Sequence, residues 1–124
     1  MIINSDYLKA NVNNFLKETT KIFYLNDNTK KELYNSKDFF DLIVIENMIF
    51  DVKLIKNHLK SLGHLICFQN GVKNFPNFNL ENQSQMLEEN SFKIVKCNQE
   101  YDLDANTETH HFFIIAKNKW FIWR

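Results

Sequence analysis

Four histidines are the residues of this chain whose type most readily carries metal or acid–base chemistry. His110 and His111 are adjacent, so on a strand they point to opposite faces and cannot share one metal ion. His58 and His64 stand six residues apart, whereas two histidines on one helix face need a spacing of four. We therefore predict no metal site, and His111 beside a carboxylate is the candidate for single-histidine catalysis.

Two cysteines are the candidate nucleophiles, but their surroundings argue against that role. Cys67 and Cys97 show no CxxC pair and no histidine spacing that suits zinc. Both fall in apolar or alternating segments, where the pKa of a thiol tends to rise, so we interpret them as two small buried thiols. No GxSxG motif is present, and two isolated glycines cannot assemble a P-loop or a dinucleotide fingerprint. The sequence thus disfavours nucleotide enzymes most firmly and predicts no cofactor.

Carboxylates are concentrated between residues 81 and 108, where seven acidic residues and two lysines give a local charge of minus five. The turn QEYDLDANTE also contains an aromatic residue. Carboxylates steer an encounter with a basic protein and an aromatic ring can anchor it, although an ordinary solvated loop is the alternative interpretation. The predicted partner-binding residues are Glu88, Glu89, Glu100, Tyr101, Asp102, Asp104 and Glu108.

The overall composition is that of a globular chain. With 124 residues, 44% of them apolar and 24% charged, the sequence fits one domain spanning residues 1–124. Fifteen basic residues balance fifteen acidic ones, and the longest basic run is Lys30-Lys31, which disfavours nucleic acid. No apolar run approaches eighteen residues, and Asp6 interrupts the start too early for a signal peptide. We expect a cytosolic protein that binds neither nucleic acid nor a membrane.

The elements that must position these residues begin with helices. The segment SDYLKANVNNFLKE places Leu8 and Val12 on one face, and Ser5 can cap it. KIFYL is either the tail of this helix or a short strand, and NDNTKKEL begins a second helix at Asn28. Apolar residues at steps of three and four from Ile45 onwards predict a long helix over residues 37–62.

Strands dominate the second half. HLICFQ indicates a buried strand, and Asn70-Gly71 suggests a tight hairpin after it. LENQSQMLEEN predicts a short helix, and SFKIVKCNQEYDL alternates as a long strand should. HHFFIIA is apolar on both faces, which predicts a central strand covered by a helix on one side and enclosing a cavity or a partner on the other. We expect a short hairpin between it and WFIWR.

These elements predict an α+β fold in which N-terminal helices pack on a C-terminal, mainly antiparallel curved sheet. The segments SFKIVKCNQEYDL, THHFFIIAKNK and KWFIWR resemble the nuclear-transport-factor-like fold, in which a curved sheet wraps a long helix into a cone. That resemblance implies a pocket, with His111 and Tyr101 as the residues near it.

A small, motif-free, asparagine- and lysine-rich chain with the acidic turn NQEYDLDANTE is also similar to bacterial immunity proteins. Those proteins neutralise polymorphic or contact-delivered toxins, and the resemblance implies carboxylates that cover the basic active site of a nuclease. We expect a protein-binding neutraliser of this kind rather than an enzyme. Two alternatives stay open: a ligand-binding or enzymatic cone with a pocket near His111, and a homo-oligomeric accessory protein that dimerises through residues 45–62 or the Trp120/Trp123 strand.

Overall fold

Helices pack on both faces of a five-stranded sheet, which confirms the α+β class predicted from the sequence. A computed structural model describes residues 3–18, 20–73, 80–101 and 109–119. The elements are α1 (Ser5–Asn13), β1 (Ile22–Leu25), α2 (Lys30–Asn35), β2 (Phe40–Glu46), α3 (Val52–Asn57), β3 (Leu59–Lys73), α4 (Leu80–Glu89), β4 (Phe92–Tyr101) and β5 (Thr109–Asn118).

The sheet is mixed, with the strand order β1-β2-β3-β5-β4. β1, β2 and β3 are parallel, because α2 and α3 return the chain to the starting edge before each new strand. β5 is antiparallel to both β3 and β4, as expected for the C-terminal half. The carboxyl ends of β1, β2 and β3 therefore meet at one edge of the sheet.

The long helix predicted over residues 37–62 is wrong. This segment forms β2, the short helix α3 and the first residues of β3. The β-branched run Ile43-Val44-Ile45 favours a strand, and all three side chains are buried. Helix α3 begins separately, because the Asp51 carboxylate accepts the backbone N–H of Lys53 at 2.9 Å and caps it.

Most apolar residues of the predicted stripe are nevertheless buried, as their spacing indicated, and Leu62 is the exception at 50% exposure. The buried residues join one core cluster on the α2–α4 face of the sheet, which includes Ile45, Met48, Val52, Ile55 and Leu59. These side chains pack within the chain, so the helical dimer seam expected at residues 45–62 does not form.

The central position predicted for HHFFIIA is confirmed, since β5 lies between β3 and β4. Phe112 and Ile114 pack in the core that α3 and α4 cover, whereas Phe113 and Ile115 pack in the core beneath α1. Helices thus cover both faces of this strand, where the sequence had suggested a cavity or partner on one. The expected partner strand WFIWR lies outside the described residues.

Several boundaries differ from the sequence expectation. Asn4, and not Ser5, caps α1, because its side-chain oxygen accepts the N–H of Tyr7 at 3.0 Å. Thr29, and not Asn28, precedes α2, and KIFYL contains strand β1. No hairpin forms at Asn70-Gly71, since β3 continues to Lys73 with a register shift at that point. No helix of the described ranges is long and apolar enough to cross a membrane.

Strand β4 forms one edge of the described sheet and pairs there with β5. Its ladder is interrupted once, because Ile94 pairs with Ala116 and Lys96 with the adjacent Ile115. Val95 is the additional residue on β4 and is 53% exposed.

Candidate functional site

The carboxyl ends of parallel strands are where open α/β sheets bind their ligands. In this chain a cavity of about 300 Å³ lies between α1 and the last residues of β1 and β2. We call it the carboxyl-edge cleft. It is lined by Ser5, Leu8, Lys9, Val12, Asn13, Tyr24 and Glu46.

The chemistry of this cleft comes from three side chains on three elements. Tyr24 lies one residue before the end of β1 and is 46% exposed, so its ring is available to a ligand. Glu46 is the last residue of β2 and is half-buried, and Lys9 is an exposed residue of α1. An aromatic ring, a carboxylate and an ammonium group thus surround an apolar floor of Leu8 and Val12.

The turn after β1 is held by side-chain hydrogen bonds and needs no glycine. The Asn26 side-chain oxygen accepts the N–H groups of Asn28 and Thr29 at 2.8 and 3.1 Å. The Thr29 hydroxyl donates to the carbonyl of Tyr24 at 2.8 Å. This turn fixes the backbone of Tyr24 at the mouth of the cleft.

The segment after β2 is anchored to β3. Asn47 has a φ of 53°, in the left-handed region that asparagine tolerates, and its N–H donates to the carbonyl of Phe68 at 2.9 Å. The buried Gln69 side-chain nitrogen donates to the carbonyl of Met48 at 3.0 Å. Two hydrogen bonds with residues of β3 therefore hold the backbone that follows Glu46 in place.

The sequence did not single out Tyr24, Glu46 or Lys9. The signal that could have found Tyr24 and Glu46 is the change from apolar to polar residues where each strand ends, in YLND and VIEN, whereas no such signal marks Lys9 in α1. That signal was hidden for Glu46, because its segment was interpreted as a long helix.

The predicted partner-binding residues do not form one patch in the part of the chain that the structure describes. Glu88 and Glu89 lie exposed at the end of α4, and Glu89 accepts a hydrogen bond from the Gln85 amide at 3.0 Å. Glu100 lies near the far end of β4, roughly 25 Å along a strand that rises about 3.3 Å per residue. The Glu100 carboxylate accepts the backbone N–H of Ile3 at 3.2 Å.

The remaining acidic candidates cannot be placed around Glu100. Tyr101 is the last residue of β4. Asp102, Asp104 and Glu108 lie outside the described residues.

The histidine and cysteine predictions have mixed outcomes. His111 is 3% exposed, pairs with Glu100 across β4 and β5, and does not line the carboxyl-edge cleft. Cys67 is buried as predicted, and burial raises its pKa to about 12. Cys97 is exposed on β4, which contradicts its predicted burial, because β4 is an edge strand.

Within the described ranges, no three His, Cys, Asp or Glu side chains are grouped to hold a metal ion.

Comparisons with known proteins find the fold alone. No family model and no curated protein matches the chain. The solved structure of the N-methyltransferase NodS from Bradyrhizobium japonicum WM9 matches with a TM-score of 0.52 and 17% identity, over 69% of this chain and 55% of that one. This chain therefore spans little more than half of NodS.

Two further structures match over more of the chain. A Streptococcus mutans protein solved in complex with SAH has a TM-score of 0.53 and 11% identity, over 94% of this chain and 99% of that one. A SAM-dependent methyltransferase from Methanosarcina mazei has a TM-score of 0.50 and 13% identity, over 94% and 79%.

These neighbours overturn two predictions made from the sequence. The chain was expected to be an immunity protein that neutralises a toxin, and it was expected not to be an enzyme. Two of the three solved structures named above are methyltransferases and the third was solved with SAH, so the fold found here is one that methyltransferases use. The chain shares the fold of these methyltransferases.

Proposed function

We propose that this chain binds an S-adenosyl cofactor in the carboxyl-edge cleft and acts in methyl transfer. The observation that carries the proposal is the position of that cleft. It lies at the carboxyl ends of β1 and β2, where a sheet of this kind receives its ligand, in a chain with a methyltransferase fold.

The side chains of the cleft suit the parts of such a cofactor. The ring of Tyr24 can stack on adenine, and the carboxylate of Glu46 can accept hydrogen bonds from the ribose hydroxyls. The ammonium group of Lys9 can pair with the carboxylate of the amino-acid end. When bound, the cofactor supplies a methyl group on a sulfonium centre.

The glycine content of the chain is compatible with this ligand. The P-loop and the dinucleotide fingerprint use glycines to bring the backbone against phosphate groups. S-adenosyl cofactors contain no phosphate, so the two isolated glycines that argue against nucleotide enzymes do not argue against this class. The predicted protein partner and cytosolic location stay predictions.

The first test is equilibrium binding of S-adenosylhomocysteine to the purified chain by isothermal titration calorimetry. Glu46→Gln removes a charged hydrogen-bond acceptor and should weaken binding about tenfold or more. Tyr24→Ala should weaken it by a similar factor, since stacking on an aromatic side chain contributes about 1–3 kcal/mol per base.

Helix α2 offers a matched control for each variant. Tyr34→Ala removes a tyrosine whose exposure, 53%, is similar to the 46% of Tyr24. Glu32→Gln removes a carboxylate from the first turn of that helix. Both should bind as the unchanged chain does. Absence of binding at millimolar ligand, or equal affinity for Glu46→Gln and Glu32→Gln, would overturn the proposal.

A further inference from the structure

A second cavity, of about 440 Å³, lies at the opposite edge of the parallel strands, where β2 and β3 begin. We call it the amino-edge cleft. The side chains that shape it are Phe15, Lys17, Asp41, Lys60, Leu62 and His64. Its volume falls in the range of small-molecule sites, about 300–1,000 Å³, and it shares no lining residue with the carboxyl-edge cleft.

An irregular stretch of β3 forms one wall of this cleft. Phe40 pairs with Leu59 and Leu42 pairs with His64, so the four residues 60–63 lie opposite Asp41 alone. Within this bulge Leu62 has a φ of 65°, a conformation that residues other than glycine rarely adopt, and its side chain is 50% exposed. Strained residues and bulges are concentrated at functional sites, where they direct a side chain towards a ligand.

The opposite wall is aromatic and firmly held. The rings of Phe15 and His64 lie with centroids 4.7 Å apart and planes inclined at 47°. The Thr20 hydroxyl accepts the N–H of Lys17 at 2.9 Å and donates to the carbonyl of Phe15 at 3.0 Å. Burial, and secondarily the charge of Lys117, lowers the pKa of His64 and so favours the neutral form of its ring.

The charges of the lining favour a single negative charge on the ligand. The Lys60 ammonium lies 3.3 Å from the Asp41 carboxylate, which also accepts the backbone N–H of Lys21 at 2.8 Å. The pKa of Asp41 is lowered chiefly by that backbone hydrogen bond, so Asp41 is ionised and neutralises Lys60. Lys17 makes no ion pair with any described residue, and one positive charge of the lining therefore remains uncompensated.

We propose that the amino-edge cleft binds a small aromatic carboxylate, with its ring between Phe15 and Leu62 and its carboxylate at Lys17. A monoanion matches the single uncompensated charge, whereas a dianionic phosphate would exceed it. The site is separate from the carboxyl-edge cleft, and the proposal does not depend on methyl transfer.

The test uses the full ¹⁵N-labelled chain and two probes of the same shape. Titration with 2-naphthoate should shift the amide signals of residues 15–17 and 61–64 in a saturable manner. The neutral 2-naphthamide should bind the same residues about three- to fivefold more weakly, because an exposed charge pair contributes little more than that. Equal affinity for both probes, or shifts spread over other exposed apolar residues, would overturn the proposal.

Two variants test separately what the charge of Lys17 and the apolar side chain of Leu62 contribute to binding. Lys17→Gln should reduce naphthoate affinity to that of the amide and leave amide binding unchanged, whereas Lys53→Gln, an exposed lysine of α3, should change neither. Leu62→Asn introduces a residue that tolerates the left-handed backbone, and it should lower the affinity for both probes by the same factor. A Lys17→Gln chain that still prefers naphthoate would contradict the assigned role of Lys17.

Discussion

The two clefts are built differently. Helix α1 lines the carboxyl-edge cleft, whereas the residues that follow α1 line the amino-edge cleft. The carboxyl-edge cleft takes its character from side chains on regular elements, with Tyr24 and Glu46 near the ends of β1 and β2, where the strand pairing is regular. The amino-edge cleft takes its shape from irregular backbone, since residues 60–63 leave the strand ladder. The polar side chains at the first, Tyr24 and Glu46, can change without moving a strand, whereas a side chain at Gly63 in the second acts on the backbone itself. The carboxyl edge is thus the more adaptable of the two.

The apolar floor of the carboxyl-edge cleft is the most sensitive point of the comparison. Leu8 of α1 is 6% exposed and packs in the core beneath that helix. Leu8→Ala should lower the free energy of unfolding by about 2–4 kcal/mol, because it leaves a cavity in that core. Binding in the carboxyl-edge cleft, which Leu8 lines, should weaken as well. Urea unfolding followed by circular dichroism measures the change.

Leu16→Ala provides the control, since Leu16 is 46% exposed, and it should change the unfolding free energy by less than about 0.5 kcal/mol. Equal stability of the two variants would mean that Leu8 does not anchor α1 beside the carboxyl-edge cleft as described.

Gly63→Ala should change the amino-edge cleft and leave the carboxyl-edge cleft unchanged. A Cβ at this position would lie 2.9 Å from the Lys60 carbonyl oxygen and 3.1 Å from that of Asp41, so the backbone must move. We expect a loss of about 1–3 kcal/mol in the free energy of unfolding. Amide shifts should be confined to the amino-edge cleft, and S-adenosylhomocysteine binding should persist.

Leu62→Asn lies one residue away and should not lower stability, since asparagine adopts positive φ more easily than leucine. A Gly63→Ala chain as stable as the unchanged protein would show that the bulge relaxes without cost, and the contrast between the clefts would then fail.

The smallest expected effect is a pH dependence located at the amino edge. The pKa of His64 is lowered from its usual 6.5 in the folded chain, so the unfolded chain takes up this proton first as pH falls. Stability should therefore decrease as pH drops below about 6.5. His64→Gln should flatten the dependence of the melting temperature on pH between 5 and 7.5.

His58→Gln is the matched variant, because His58 precedes the bulge by two residues and contacts the Asp38 carbonyl at 3.3 Å. It should keep the pH dependence of the unchanged chain. If the melting temperature of the His64→Gln chain depends on pH as steeply as that of the unchanged chain, His64 is not the source of the pH dependence.

Burial was easier to predict than secondary structure. The spacing from Ile45 to Leu59 correctly indicated buried residues, yet a strand end, a loop, a short helix and a new strand produced it. Helical spacing arises there because all four segments face one core. The central strand β5 was predictable, since Phe112 to Ile115 are apolar on both faces.

The candidate site was harder to predict, because its residues are distant in sequence. Lys9, Tyr24 and Glu46 meet only through the parallel pairing of β1 with β2 and the packing of α1. The acidic segment attracted attention because its residues are close in sequence, but Glu88 lies near the end of α4, before β4 begins, and Glu100 lies near the far end of β4. The composition of a short segment indicates features of that segment, whereas this cleft depends on the order of the strands in the sheet.

The bulge at Val95 has a consequence for how molecules of this protein meet in solution. An edge strand of ten residues presents a template on which another chain could add a strand and begin a fibril. Val95 interrupts that template, and Lys93 and Lys96 flank it with positive charge. Lys96 also donates to the Asn11 side-chain oxygen at 3.1 Å, which ties the edge to α1. Within the part of the chain that the structure describes, this irregular edge is therefore a poor template for edge-to-edge pairing with another copy.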